Sequence, residues 1–180
     1  IPREKQPDTV RIFVFGESAA YGDPQPRFGL PRMLEALLEL RHPGKKFEVV
    51  NAAMTGINSH VIRPLARDCA EAHADIWVIY MGNNEVVGPF GAGTVFGGQT
   101  MPLPLIRAGL ALKATRTGQV FEALRRAAQK NPAGSGGWEG MRAFVNYKVA
   151  GCDPHLDAVY ENFGQNLKDF IVAGQNRGAI

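Results

Sequence analysis

Residues Val10–Phe15 have the sequence VRIFVF, a run of β-branched and aromatic residues that predicts a buried β-strand. Two similar runs follow, FEVVN at Phe47–Asn51 and DIWVIYM at Asp75–Met81. Because each run is apolar almost throughout rather than alternating with polar residues, we expect both faces of the sheet to be covered. The sequence therefore predicts three parallel strands inside an α/β domain.

Segments with helical periodicity separate and follow these strands. The first ends at Pro43-Gly44, and the second follows the candidate N-cap residues Asn58 and Ser59. A third is predicted over about Leu105–Lys130 and a fourth over Asp153–Gly174. Strands alternating with helices predict right-handed crossovers in a three-layer sandwich. The apolar positions that carry the periodicity are Leu30, Met33, Leu34, Leu37 and Leu38, then Val61, Ile62, Leu65, Ala66 and Cys69, and finally Leu156, Tyr160, Phe163, Leu167, Phe170 and Ile171.

The composition excludes several classes of protein. The 180 residues are 45% hydrophobic and 21% charged, which suits one domain with a core of its own. The 20 Lys and Arg residues are mostly interspersed with 17 Asp and Glu, which argues against a nucleic-acid partner. Cys69 and Cys152 have no disulfide-framework or metal-site spacing. No apolar run approaches the roughly 20 residues of a transmembrane segment.

The two ends and two glycine-rich stretches are interpreted as follows. Ile1–Asp8 is polar and contains proline, so we interpret it as a linker that precedes a domain at 9–180. An apolar segment begins near Ile180, and we interpret the domain as incomplete at its C-terminus, before its last strands. Val86–Pro104 is typical of a lid, a binding loop or a disordered segment, and Asn131–Gly140 is typical of a flexible hinge.

A polar segment follows each strand at its carboxyl end, where the sites of parallel α/β folds lie. In Gly16-Glu17-Ser18, the serine is either a nucleophile or a helix N-cap. Neither of two known motifs decides between them, since the segment lacks the lysine of a P-loop and also the second glycine of Gly-x-Ser-x-Gly. Gly56 either directs its N–H at an anion or only provides a turn with positive φ. In Gly82-Asn83-Asn84-Glu85, the amide of Asn84 either shapes a turn or donates to a developing oxyanion.

Together these segments resemble the sequence blocks of the SGNH/GDSL hydrolase superfamily, over about Val10–Gly88. Gly16-Glu17-Ser18 is similar to the Gly-Asp-Ser block, with glutamate in place of aspartate. Gly56 matches the glycine of the second block, and Gly82-Asn83-Asn84-Glu85 is similar to Gly-x-Asn-Asp, again with glutamate for aspartate. The segments GESAAYGD and YMGNNEVVGP are most similar to bacterial SGNH domains of larger proteins, which often contain tetratricopeptide repeats.

The resemblance implies a flavodoxin-like α/β sandwich and a serine esterase. Ser18 would be the nucleophile, and the oxyanion hole would consist of the Ser18 and Gly56 N–H groups and the Asn84 side chain. The resemblance implies a small-molecule or glycan ester as substrate and no metal or organic cofactor. Two alternatives remain open, an O-acyltransferase that acts on a glycan and a catalytically inactive binding or scaffold domain. The supporting residues would be Gly16, Glu17, Gly82 and Glu85.

The superfamily also has an Asp-x-x-His segment, whose histidine acts as the general base, and this sequence contains none. His60 is a minor candidate for a residue that faces the site, whereas His155 follows Asp153 and is predicted to cap the last helix. We therefore expect the base to lie beyond Ile180. We also expect the missing part of the domain, or a second copy, to pack on the open edge of the third strand.

A basic segment at Arg107–Lys130 has two possible interpretations. It carries six lysine and arginine residues and one acid, Glu122. It is either a solvated helix face or a surface that attracts a membrane or an anionic substrate.

Overall fold

A three-stranded parallel β-sheet forms the centre of this computed structural model, which describes residues 4–94, 101–128 and 148–180. The strands are β1 (Thr9–Gly16), β2 (Lys46–Asn51) and β3 (Ile76–Tyr80), in the order β2-β1-β3. All three predicted strands are confirmed, although β3 is one residue shorter at each end than the sequence run. The α-helices are α1 (Ser18–Tyr21), α2 (Leu30–Arg41), α3 (Ser59–Cys69), α4 (Leu103–Ala114), α5 (Arg116–Ala128) and α6 (His155–Gln175).

The central strand β1 is buried on both faces, which explains its continuous apolar sequence. Phe13 and Phe15 belong to one core cluster, together with residues of α3 and α6. Ile12 and Val14 belong to a second cluster on the opposite face, against which α2 packs. Side chains alternate between the two faces of a strand, so one strand supplies both clusters. The molecule is therefore an α/β domain with a covered parallel sheet, and it is compatible with a flavodoxin-like fold.

The predicted helix over about Leu105–Lys130 is wrong in one respect, because the chain breaks at Thr115 into α4 and α5. Thr115 has extended backbone angles, and its Oγ1 accepts a hydrogen bond from Gly118 N at 3.0 Å. A Cβ atom at Gly118 would lie 2.0 Å from the Leu112 carbonyl oxygen, so only glycine permits this close turn. Residues 129 and 130 lie outside the described residues, as does the hinge predicted at Asn131–Gly140.

The buried faces of α2 and α6 differ from the predicted stripes. In α2, Leu34 and Leu38 pack against the core, whereas Leu30, Met33 and Leu37 are exposed. In α6, Tyr160 and Ile171 are exposed. The buried positions of α6 are Leu156, Val159, Asn162, Asn166, Phe170 and Gly174.

The sequence also predicts that further protein packs on the open edge of β3 and that Ile1–Asp8 is a linker. Ile180 donates its N–H to the Asp75 carbonyl at 3.0 Å and accepts from Trp77 N at 2.9 Å, so the residues after α6 contact the outer edge of β3. Lys5, which belongs to the predicted linker, forms an ion pair with Asp75 at 2.6 Å. This segment therefore contacts the domain. In the part of the chain that the structure describes, no helix has both the length and the apolar character needed to cross a bilayer.

Candidate functional site at the carboxyl edge of the sheet

The loops that follow β1 and β2 lie close to each other at the carboxyl edge of the sheet. Met54 N donates to the Gly16 carbonyl at 3.1 Å, and the Asn51 side chain donates to the Tyr21 carbonyl at 3.0 Å. A Cβ atom at Gly16 would lie 2.2 Å from the Tyr80 carbonyl oxygen. Gly16 therefore supports the site by allowing the close approach of the segments that end β1 and β3.

Glu17 joins the loop that follows β1 to the loop that follows β3. Its Oε1 accepts from Gly82 N at 3.3 Å and its Oε2 from Asn84 N at 3.1 Å. The residue is 1% exposed, and this burial raises the pKa of its carboxyl, although the backbone N–H groups that it binds act in the opposite direction. The two supporting residues Glu17 and Gly82 are thus in direct contact.

Asn84 joins the loop that follows β3 to the loop that follows β2. Its side-chain Nδ2 donates to the Ile57 carbonyl at 2.9 Å, and its own carbonyl accepts from Gly88 N at 2.6 Å. The residue is buried. Because an asparagine amide has two N–H donors, the bond to Ile57 leaves one donor for a further acceptor.

Gly56 lies in the loop between β2 and α3 with a φ of +70°. This value is in the left-handed region, so the turn that the sequence allowed as an alternative is present. The Gly56 N–H finds no acceptor among the described residues. The turn and an anion-directed N–H are therefore compatible at this position.

Ser18 is the first residue of α1 and is partly buried. Its hydroxyl makes no hydrogen bond within residues 4–94, 101–128 and 148–180. Its N–H also has no acceptor inside the helix, because the first residues of a helix lack one. Among the described residues, the Ser18 hydroxyl and N–H thus have no hydrogen-bond partner, whereas Glu17 and Asn84 are already hydrogen-bonded.

A second buried glutamate, Glu85, holds the start of α3. Its Oε1 accepts from Ser59 N at 2.8 Å and its Oε2 from the Ser59 hydroxyl at 2.9 Å. Burial is the main cause that raises the pKa of Glu85 from 4.5 to about 7, and the charge of Glu17 acts in the same direction. Glu85 therefore supports the loop that contains Gly56 rather than contacting Ser18.

Asn166 of α6 extends this network, and the periodicity of the sequence did not single it out. It is fully buried, and its Nδ2 lies 3.0 Å from Ser59 Oγ and 3.1 Å from His60 Nδ1. Its Oδ1 accepts from Arg107 at 3.1 Å, and Arg107 also pairs with Asp169 at 2.9 Å. Asn162 and Asn166 both lie on the buried face of α6. Because buried polar side chains are normally hydrogen-bonded, asparagines at such positions indicate a polar network.

His60 is buried inside this network. Burial, together with repulsion from Arg107, lowers the pKa of its ring from 6.5 to about 4, so the ring is neutral at physiological pH. Since Asn166 Nδ2 donates to Nδ1, the ring proton is assigned to Nε2. This bonding makes His60 a structural partner of Asn166.

The other histidines lie elsewhere. His155 is the first residue of α6, and its N–H donates to Asp153 Oδ1 at 2.9 Å while its ring Nδ1 lies 2.7 Å from the same oxygen. The group that accepts at this helix start is therefore Asp153, and not His155 as predicted. His42 and His73 follow the ends of α2 and of the turn Ala70–Ala72. No histidine of the described residues is hydrogen-bonded to Ser18. Within the same ranges, no three His, Cys, Asp or Glu side chains are grouped so that they could hold a metal ion.

Comparison of the sequence with models of protein families gives no match, and neither does comparison with curated proteins.

Proposed function

We propose that this chain is a serine ester hydrolase of the SGNH type, with a flavodoxin-like fold, that acts through an acyl-Ser18 intermediate. The observation that carries the proposal is the pair of hydrogen bonds from Gly82 and Asn84 to the Glu17 carboxylate. These bonds hold the serine loop against the asparagine loop. The bond from Asn84 to Ile57 adds the loop that contains Gly56, so all three strand-end loops are linked.

The proposed reaction uses the groups that remain free in this cluster. Ser18 Oγ attacks the ester carbonyl carbon while a general base takes the hydroxyl proton, and the carbonyl π electrons move to the oxygen. The oxyanion accepts from the Ser18 and Gly56 N–H groups and from the second amide proton of Asn84. Collapse releases the alcohol, which receives the proton from the base, and water then hydrolyses acyl-Ser18 by the same steps.

The general base is assigned to a histidine outside these 180 residues. A serine hydroxyl without a base is a weak nucleophile at neutral pH, so the reaction requires one. His60 is a poor candidate because its Nδ1 is already bonded to Asn166 and its neutral ring is buried. An Asp-x-x-His segment would supply both the base and the carboxylate that orients it.

The proposal is tested on the full-length gene product with p-nitrophenyl acetate and a fluorophosphonate probe. We expect the probe to label Ser18, and Ser18→Ala to lose both labelling and hydrolysis. Asn84→Ala should lower kcat by about 10²–10³, the usual loss for one oxyanion donor. Asn83→Ala is the matched control, because the neighbouring amide is exposed and should keep activity near that of the wild type.

The outcomes also separate the proposal from its alternatives. Hydrolysis that survives in Ser18→Ala contradicts the assignment of the nucleophile. A labelled Ser18 that passes its acyl group to a sugar hydroxyl faster than to water identifies a glycan O-acyltransferase. A protein in which Ser18 is not labelled at all identifies a binding or scaffold domain.

A further inference from the structure

The helical hairpin α4–α5 leaves an apolar face uncovered. Its five large apolar residues are each about 60–70% exposed, although residues of this kind are usually inside a domain. Leu112 and Phe121 line the same groove between the two helices, which has a volume of about 540 Å³. These residues, called here the hairpin patch, are Leu105, Leu112, Val120, Phe121 and Leu124.

The hairpin is attached to the domain by its other side. Ile106 is 1% exposed, and Arg107 is bonded to Asn166 and Asp169 of α6. The close turn at Thr115 and Gly118 fixes the second helix against the first. The hairpin is therefore joined to the domain through Ile106 and Arg107 of α4, while the residues of the hairpin patch remain exposed.

Two exposed cations lie beside the hairpin patch. Residues 103–128 contain five arginine and lysine residues and one acid. Of these, Arg107 pairs with Asp169 of α6, and Arg125 pairs with Glu122, which also lines the groove. Lys113 and Arg116 are exposed and have no ion-pair partner in the described ranges of the chain. Lys113 lines the groove beside Leu112, and Arg116 is one helical turn before Val120.

We propose that the hairpin patch binds the surface of an anionic phospholipid bilayer. Apolar side chains flanked by cations are what an interfacial helix presents to the boundary between headgroups and acyl chains. Anionic headgroups supply the charge that complements Lys113 and Arg116. A second copy of this chain is a poorer occupant, because two hairpins of the same positive charge would face each other.

The test is co-sedimentation of the full-length gene product with vesicles, without any substrate, so that it does not depend on ester hydrolysis. One set of vesicles contains phosphatidylcholine alone, and the other contains phosphatidylcholine mixed with phosphatidylglycerol. We expect binding to the mixed vesicles only, with an affinity that falls as salt is added, since salt screens the attraction between exposed charges.

Matched variants locate the contact. Phe121→Gln and Leu124→Gln should each weaken partitioning by about tenfold, whereas Leu40→Gln, at an exposed leucine of α2, should not change it. Lys113→Glu should weaken binding to mixed vesicles by at least about fivefold, whereas Lys168→Glu, the same charge change on α6, should have little effect. Circular dichroism of each variant checks that the fold is retained.

Several results would overturn the proposal. The first is a wild-type chain that stays in solution with mixed vesicles, and the second is a chain that binds phosphatidylcholine alone equally well. The third is binding that none of the hairpin variants alters. Self-association that is abolished by Phe121→Gln, without vesicle binding, would overturn it as well and would identify a second copy as the occupant.

Discussion

Glu17 and Glu85 are two buried glutamates at the carboxyl edge of the sheet, and they differ in the donors that they bind. Glu17 accepts from two backbone N–H groups, those of Gly82 and Asn84, whose positions are set by the chain. Glu85 accepts from one backbone N–H and from the Ser59 hydroxyl, which can rotate. Two equally buried glutamates can therefore differ in how strongly their hydrogen-bond partners favour the ionised form.

The electrostatic surroundings of the two glutamates lead to the same conclusion. Burial raises the pKa of both carboxyl groups, and for Glu85 the value reaches about 7. The charge of Glu17 further raises the pKa of Glu85. We therefore expect Glu85 to take up a proton near neutral pH, whereas the backbone N–H groups that Glu17 binds act against the effect of burial and favour its carboxylate form.

The largest expected effect is that of Glu17→Gln on stability. A glutamine places an NH₂ group against one of two fixed N–H donors, so one buried donor loses its acceptor, and we expect a loss of about 3 kcal/mol in the free energy of unfolding. Glu85→Gln should lose only about 1 kcal/mol, because the Ser59 hydroxyl can turn and accept instead. Urea denaturation of both variants at neutral pH measures the difference, and equal losses would contradict the distinction between the two sites.

The second prediction concerns the pH dependence that Glu85 contributes. Its folded-state pKa is raised from 4.5 to about 7, so the folded protein holds the proton more tightly than the unfolded chain. The stability from this group is complete below pH 4.5 and is lost as the pH rises toward 7, by roughly 3 kcal/mol for such a shift. The free energy of unfolding of the wild type minus that of Glu85→Gln should fall across this window. A flat difference would show that Glu85 is ionised throughout.

His60 should contribute the opposite slope. Its folded-state pKa is lowered from 6.5 to about 4, so the folded protein excludes the proton and loses stability as the pH falls below 6.5. Between about pH 6.5 and pH 5 the loss should be about 2 kcal/mol. It is measured as wild type minus His60→Asn, a variant that keeps an acceptor near the position of Nδ1. A difference that rises toward acid pH would contradict the neutral, buried ring.

The smallest predicted effect on stability is the difference between the same substitution, serine to alanine, at Ser59 and at Ser18. Ser59→Ala removes the hydroxyl between Glu85 and Asn166 and should cost about 1–2 kcal/mol of stability. Ser18→Ala removes a hydroxyl that has no partner in the described part of the chain, and its effect on stability should stay within about 0.5 kcal/mol. Thermal unfolding of both variants tests this, and a large loss in Ser18→Ala would mean that the hydroxyl is structural.

The strands and most helices could be predicted because their signals are local. A run such as VRIFVF predicts a strand that is buried on both faces, and β1 is such a strand. The break at Thr115 could not be predicted from periodicity, since the apolar pattern continues across it. It depends on the contact of Gly118 with the Leu112 carbonyl, which exists only after the two helices have packed.

The candidate site could be predicted in its position but only partly in its bonding. The polar residues at the strand ends meet at one edge because the strands are parallel, and this follows from the element order alone. Glu17 and Glu85 were expected only as supporting residues, and their donors were unknown. Asn166 and Arg107 entered the network from α6 and α4, which lie far from these loops in the sequence.

The sequence by itself determined the parallel α/β sheet, because hydrophobic periodicity is a property of the chain. It also determined that the loops containing Ser18, Gly56 and Asn84 lie at the carboxyl edge of that sheet, because the order of the elements is a property of the chain as well. Only the tertiary structure decided which polar groups are already bonded and which are free. Asn84 gives one amide proton to Ile57, Glu17 binds two backbone N–H groups, and the Ser18 hydroxyl has no partner among the described residues. Hydrogen bonds require atoms about 3 Å apart, and such distances between remote segments exist only after the domain has packed.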